Sequence, residues 1–219
     1  MTGRLRQPAW TVPLLAGLVL VLAACSLIAP RSDPEMHTHF LNPDEPSDRA
    51  IEQAGPNRGT ATLLVSLPLA QAGFDTIRMA YLLRPHEVRY FAVHQWADQP
   101  ARMVAAQLRR TLEKAGAWRA VVQAPAAVRS DVRLDVDQLV LLQDFTTHPS
   151  HARLTLGAQL VDLKTQQVIG ARRFEAIETA PSDDPYGGVE AANRALSKLL
   201  DQVVAWVDAC VRASAPRTP

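Results

Sequence analysis

Between residues 132 and 177 the chain carries three β-rich runs in succession, 132–144, 152–163 and 167–177, and the middle one alternates strictly. Leu154, Leu156, Ala158 and Leu160 are interleaved with Arg153, Thr155, Gly157 and Gln159. Successive strand residues point to opposite faces, so this period of two describes a sheet with one dry and one wetter face. Lys164-Thr165-Gln166-Gln167 supplies a tight turn between the second and third runs, and the spacing predicts an antiparallel meander. A dry sheet face needs a cover. Downstream, Val189, Ala192, Leu196, Leu199, Val203 and Trp206 recur at steps of three and four residues, the stripe of a long helix that packs on the sheet. Ser182-Asp183-Asp184-Pro185 opens that helix, and Gly187-Gly188 reads as a hinge at its entry.

Upstream, 61–67 is a short β-rich run ended by Pro68, and the runs 77–83 and 88–96 are joined by the hairpin turn Arg84-Pro85-His86-Glu87. Asp98 is placed to cap a helix with Pro100 in its first turn; Val104, Leu108, Leu112 and Ala115 give it one apolar face, and Gly116 ends it. A short strand follows at 118–122. The predicted architecture is a single α/β (α+β) domain over residues 60–210, with a largely antiparallel β-sheet and two main helices packed on it, followed by a disordered tail at 211–219. At 219 residues and 47% apolar content the chain has room for one such domain and little more. The near balance of 23 basic and 22 acidic side chains creates no field for steering onto nucleic acid, and aromatics, at 5%, form no base-stacking stripe.

Residues 1–24 have the layout of a signal peptide: Arg4 and Arg6, an apolar run from Val12 to Leu22, then Ala23 and Ala24. The run falls short of the roughly twenty apolar residues that a membrane-spanning helix needs. The tetrapeptide Leu22-Ala23-Ala24-Cys25 resembles the bacterial lipobox. That resemblance implies recognition of Leu22, Ala23 and Ala24 by the signal peptidase, cleavage before Cys25, and a covalent lipid on Cys25, with acyl chains such as palmitate. By the sorting rule of such lipoproteins, Ser26 after the cysteine implies the periplasmic face of the outer membrane. Residues 25–59 read as a lipidated N-terminus and a tether, with Pro30, Pro34, Pro43, Pro46 and Pro56. One island, 36–41, alternates enough to be a first strand tying the tether to the domain edge. Its His37 and His39 share a face, but no third metal ligand is visible nearby, which favours two solvent-facing residues over a metal site.

Candidate chemistry is sparse. His148 and His151 share a loop with Asp144 close in sequence, yet no helix-borne His-Glu pattern or nucleophile elbow accompanies them. Gly187-Gly188 lacks the Lys-Ser/Thr of a phosphate cradle. Asp135 and Asp137 lie on one strand face with Arg133 and Arg153 as partners, a charged outer surface. Cys25 and Cys210 are the two cysteines, too few for a disulfide framework; Cys210 reads as a packed or idle helix-end thiol in preference to an intermolecular disulfide. No catalytic, cofactor-binding or metal residues are assigned, and no cofactor beyond the covalent lipid on Cys25.

The segments Ile77-Arg78-Met79-Ala80-Tyr81, Glu87 to Trp96, and Pro100-Ala101-Arg102-Met103 leading into Leu108 and Leu112, in this order behind a lipobox, resemble the ABC-type transport auxiliary lipoproteins. The likeness covers most of residues 25–208, with Phe40-Leu41 in the place of the family's first strand. It implies a non-catalytic lipoprotein anchored in the outer membrane. Its partners would be an MCE-domain protein and ABC transporter components that move lipids or hydrophobic molecules between the two membranes, with a homo-oligomer compatible. Trp96, a rigid aromatic at a strand end, is the candidate partner contact, with core packing against the proline-opened helix as the competing role. The alternatives are an envelope assembly or stability lipoprotein that binds an outer-membrane partner, and a hydrolase built on His148 and His151.

Overall fold

The computed structural model describes residues 34–42 and 59–214. The signal peptide, Leu22, Ala23, Ala24, Cys25 and most of the expected tether lie outside these residues. The described residues from Met36 onward form one unit. Its elements are β1 (His37–His39), β2 (Thr62–Val65), β3 (Arg78–Leu82), β4 (Val88–Trp96), α1 (Pro100–Lys114), β5 (Ala120–Gln123), β6 (Val132–Asp144), β7 (His151–Asp162), β8 (Gln167–Thr179) and α2 (Pro185–Ser214). The helix α2 thus continues past residue 211, where the tail was expected to begin.

Strand β6 is the spine of the sheet. One of its edges pairs antiparallel with β7 from Val132↔Asp162 to Asp144↔His151, and β7 pairs in turn with β8, which is the predicted meander. The other edge of β6 is shared. Its start takes β2 in parallel, Leu63↔Val132 to Val65↔Leu134, and its end takes β3 in parallel, Tyr81↔Gln143 and Leu82↔Asp144. Between them the chain runs alongside without a named strand: the Leu69 N–H donates to Val136 O (3.0 Å) and the Leu139 N–H to Leu69 O (3.1 Å). Parallel β5 extends the sheet beyond β2. Beyond β3 lie antiparallel β4 and then parallel β1. The sheet is therefore mixed, and the parallel pairings, which join segments far apart in sequence, are the part that local patterning does not reveal.

A bulge divides β6. Asp137 pairs with Gly157 and Val140 with Thr155, so β6 carries one extra residue, taken up by Gln138 at a φ of 50°. Leu134 and Val136 before the bulge, and Leu139 and Leu141 after it, all enter the main core. The alternation therefore switches from even to odd positions. Val140 and Leu142 are turned to the other face, where they form a second small cluster with Ala80, flanked by Phe74, Leu82 and Tyr90. A Cβ on Gly157 would lie 2.4 Å from Asp137 Oδ1, so the missing side chain makes room for the bulge's own aspartate.

The dry face of the meander is covered as its pattern requires. Ala191, Ala195, Leu196, Leu199 and Val203 of α2 are fully buried against Leu154, Leu160 and Phe174, with Trp206 edge-on to Phe174 at 5.6 Å between ring centroids. Val104, Leu108 and Leu112 bring α1 into the same core. Two local expectations change. Asp98 accepts the Gln99 N–H (2.7 Å) just before the helix, while the N-cap itself is Gln99, without a side-chain cap; Pro100 removes one orphan donor by having none. The β7–β8 turn is organised by Asp162, whose Oδ1 accepts the N–H groups of Lys164 (2.7 Å) and Thr165 (2.9 Å), with Gln166 at a φ of 58°. Cys210 packs against the main core, and burial raises its thiol pKa.

Leu154→Ala is expected to lower stability by about 2–5 kcal/mol in chemical denaturation, as for a fully buried leucine. Leu69→Ala, at 67% exposure, should change it by no more than about 0.5 kcal/mol.

Candidate functional site

Three structural features meet at one end of the sheet: the first turn of α2, the β6–β7 loop, and the β1–β4 seam. Asp184 caps α2, its Oδ1 accepting the Gly187 N–H (2.8 Å). That bond, first among several, holds its carboxyl below the ordinary value. The Asp184 carbonyl accepts from Gln143 Nε2 (3.0 Å), which also donates to the buried Ser150 hydroxyl (2.9 Å). A Cβ on Gly188 would sit 2.1 Å from Gln143 Oε1, so the helix can approach this buried amide only at a glycine. The Gly187-Gly188 pair consequently lies within the helix's first turn and is a close-approach device, not a hinge ahead of it. Next to it, Asp183 accepts the Ser150 N–H (2.6 Å) at Oδ1 and pairs with His148 Nδ1 (2.9 Å) at Oδ2. The Ser150 N–H, followed by His148, holds the Asp183 carboxyl down at about 2.

The β1–β4 seam supplies imidazoles. The parallel register sets His37 opposite His94 and His39 opposite Trp96. His39 Nε2 lies 3.0 Å from His94 Nδ1, with the two ring planes nearly parallel, while His37 stacks on His94 at 4.8 Å. Burial, then the neighbouring imidazoles, lowers the pKa of His39; burial and then His37 do the same for His94. A row of aromatic rings continues from His94 through Phe91 (6.1 Å) and Tyr81 (4.4 Å from Phe91) to Phe145, and Tyr186 from α2 lies 6.3 Å from His39. The sequence placed His37 and His39 on one face; the third imidazole comes from a residue 55 positions away from His39. Among the described residues no three His, Cys, Asp or Glu side chains are arranged to hold a metal ion.

Trp96 is only 3% exposed and packs in the main core, its backbone N–H donating to Ile77 O (2.7 Å). Its ring supports the seam from inside; the aromatic groups that face solvent nearby are Phe40 and Tyr186, at 67% and 61% exposure. The segment after β1 is fastened as well: Leu41 enters the core, the Asn42 N–H donates to Asn193 Oδ1 (2.7 Å), and Gln107 Nε2 donates to Asn42 Oδ1 (3.0 Å).

The loop histidines are drawn to different carboxylates. His148 binds Asp183, whereas His151 places Nε2 3.6 Å from Asp144 Oδ2 and Nδ1 3.2 Å from Thr147 Oγ1. Burial opposes ionisation of Asp144, but the Thr146 hydroxyl and N–H outweigh it and hold the carboxyl below its ordinary value. On the outer face Arg133 pairs with Asp135 at 2.9 Å, and Asp135 also accepts the Ser66 hydroxyl. Arg153, opposite Leu142 beyond the bulge, pairs with Glu175 (3.5 Å) instead of the two aspartates.

The Asp183 carboxyl is ionised further into acid when folded than its ordinary value of 3.8 allows. The strap from α2 to the loop therefore contributes stability above pH about 4, and that contribution is lost as pH falls through about 2. In thermal melts Asp183→Asn is expected to be less stable than wild type at pH 5 and to converge with it near pH 2.

The fold has solved counterparts. Protein XCC0632 from Xanthomonas campestris, of the DUF330 family, superposes with a TM-score of 0.66 at 23% identity, over 82% of this chain and 95% of that one. Hypothetical protein CT253 from Chlamydia trachomatis superposes with a TM-score of 0.50 at 7% identity, over 70% of this chain and 99% of that one. At these identities the likeness is one of fold. No curated protein matches the sequence. Residues 44–204, from within the expected tether to the last turns of α2, match the ABC-type transport auxiliary lipoprotein component family, and the chain belongs to that family.

Proposed function

We propose that this auxiliary component is a non-catalytic lipoprotein of an MCE-type ABC transport system, held on the periplasmic face of the outer membrane by acyl chains on Cys25. There it serves the movement of lipids or other hydrophobic molecules between the membranes. The family match over residues 44–204 carries the reading. The lipobox Leu22-Ala23-Ala24-Cys25 supports the anchor, since each buried methylene of an acyl chain contributes about 0.8 kcal/mol and two or three chains make attachment effectively permanent. No described helix is long and apolar enough to cross a membrane. The site geometry supports a binding role. His148 and His151 are engaged by separate carboxylates, and the β1–β4 end presents Phe40 and Tyr186 over the buried Trp96. In this reading Trp96 acts on a partner indirectly, by holding the seam that displays those two rings.

Affinity capture of the acylated protein in detergent is expected to recover an MCE-domain protein with the permease and ATPase. Recovery of an outer-membrane barrel in their place would favour the envelope-assembly alternative. Cys25→Ala should release a folded domain, with an unchanged melting temperature, that no longer fractionates with membranes or supports transport. Full transport by that soluble form would overturn the anchored reading.

A further inference from the structure

We propose that β1 is a proton-sensitive clasp: the neutral imidazole pair His39–His94, with His37 stacked on His94, holds the segment 37–42 against β4, and protonation of that pair shifts the segment toward release. The consequence for reach rests on the Cys25 anchor proposed above; the clasp itself does not.

Strand β1 is three residues long and, among the described residues, lies at the edge of the sheet, paired only with β4. So short a strand has little stability of its own, and its side chains decide whether it stays. Three of the side chains at the seam are imidazoles, two from β1 and one from β4, gathered by the parallel register. With neutral rings, one N–H of the His39–His94 pair donates to the other's lone pair at 3.0 Å, and His37 stacks on His94. A first proton is accommodated, because the bond becomes charge-assisted. A second puts like charges on rings whose centroids are 4.8 to 5.4 Å apart.

The other titratable groups facing the trio come from the start of α2. Asp184 favours the cation at His94, and Tyr186 lies beside His39. Among the described residues one carboxylate, Asp184, is set against the three imidazoles. Burial favours the neutral form of both His39 and His94. The docked segment therefore binds fewer protons than the released one, and docking weakens as pH falls below the ordinary imidazole value of 6.5. The segment's other fastenings include the Ala97 N–H to His39 O (2.8 Å), Leu41 in the core, and the bonds of Asn193 and Gln107 to Asn42, none of which titrates in this range.

Docking fixes how much chain separates the sheet from the anchor. At about 3.3–3.6 Å per residue, Cys25 to His37 spans at most about 40 Å, while Cys25 to Thr62 spans at most about 130 Å. Release of β1 would permit the domain to stand roughly three times farther from its anchor.

Hydrogen exchange on the full acylated chain in detergent, with a chelator present and intrinsic rates corrected, tests the clasp. From pH 7.5 to 5.5 the Ala97 amide, which donates to His39 O, should lose protection relative to amides of β7. The loss should approach about tenfold per pH unit for each extra proton bound on release. The double variant His39→Gln/His94→Gln should flatten this pH slope, and Asn193→Ala should lower protection at both pH values while keeping it. An unchanged protection ratio in wild type, or a slope that survives in the double variant, would overturn the proposal. Cys25→Ala should keep the slope, so loss of the anchor and loss of the clasp are read separately.

Discussion

Strand β6 spends both of its hydrogen-bonding edges, and the positions of the other strands follow from that. Its β7 edge is antiparallel along its whole length, interrupted by one bulge, while its other edge is divided between β2 at the start and β3 at the end. A strand paired on both sides exposes no backbone donors or acceptors for another chain to capture, and it must be buried on at least one face. Leu134, Val136, Leu139 and Leu141 meet that requirement under α2. The division of the second edge produces a sheet with two arms. The arm with β2 and β5 leads to α1; the arm with β3, β4 and β1 leads toward the N-terminal segment.

The bulge at Asp137–Val140 lets one strand serve both arms. By switching the inward parity from even to odd residues it keeps the main core apolar along the full length of β6 and puts Val140 and Leu142 under the β3 arm on the opposite face. The β3 arm thereby gains a small core of its own. Beyond the bulge, the polar end of β6 is tied down: Gln143 reaches across Gly188 into the first turn of α2, and Asp183 straps the following loop to the same turn. A buried amide and a carboxylate accepting a backbone N–H fix geometry more tightly than apolar packing does, because their bonds are directional.

That fixed end is where the imidazole trio sits. The start of α2 contributes Asp184 and Tyr186 to the surroundings of His39 and His94, so the element that closes the core also sets the electrostatics of the seam holding β1. The three imidazoles lie on β1 and on the strand β4 that holds it.

The existence and order of the strands, both helices, the meander and its covering stripe were legible in the chain because each depends on periodicity within one segment. Leu154 to Leu160 alternate whatever they pair with, and the α2 stripe is apolar before it finds a sheet. The resemblance of Leu22-Ala23-Ala24-Cys25 to a lipobox is likewise local. Register across parallel pairs, the bulge parity, the joining of His37 and His39 to His94, the burial of Trp96 and the capture of His148 by Asp183 depend on residues tens of positions apart. The Gly187-Gly188 pair shows the divide most directly. The sequence marks a flexible spot, but that it admits Gln143 and lets α2 close on β6 was decided by the tertiary structure, because a hydrogen bond specifies a partner in space and a sequence pattern specifies only a face.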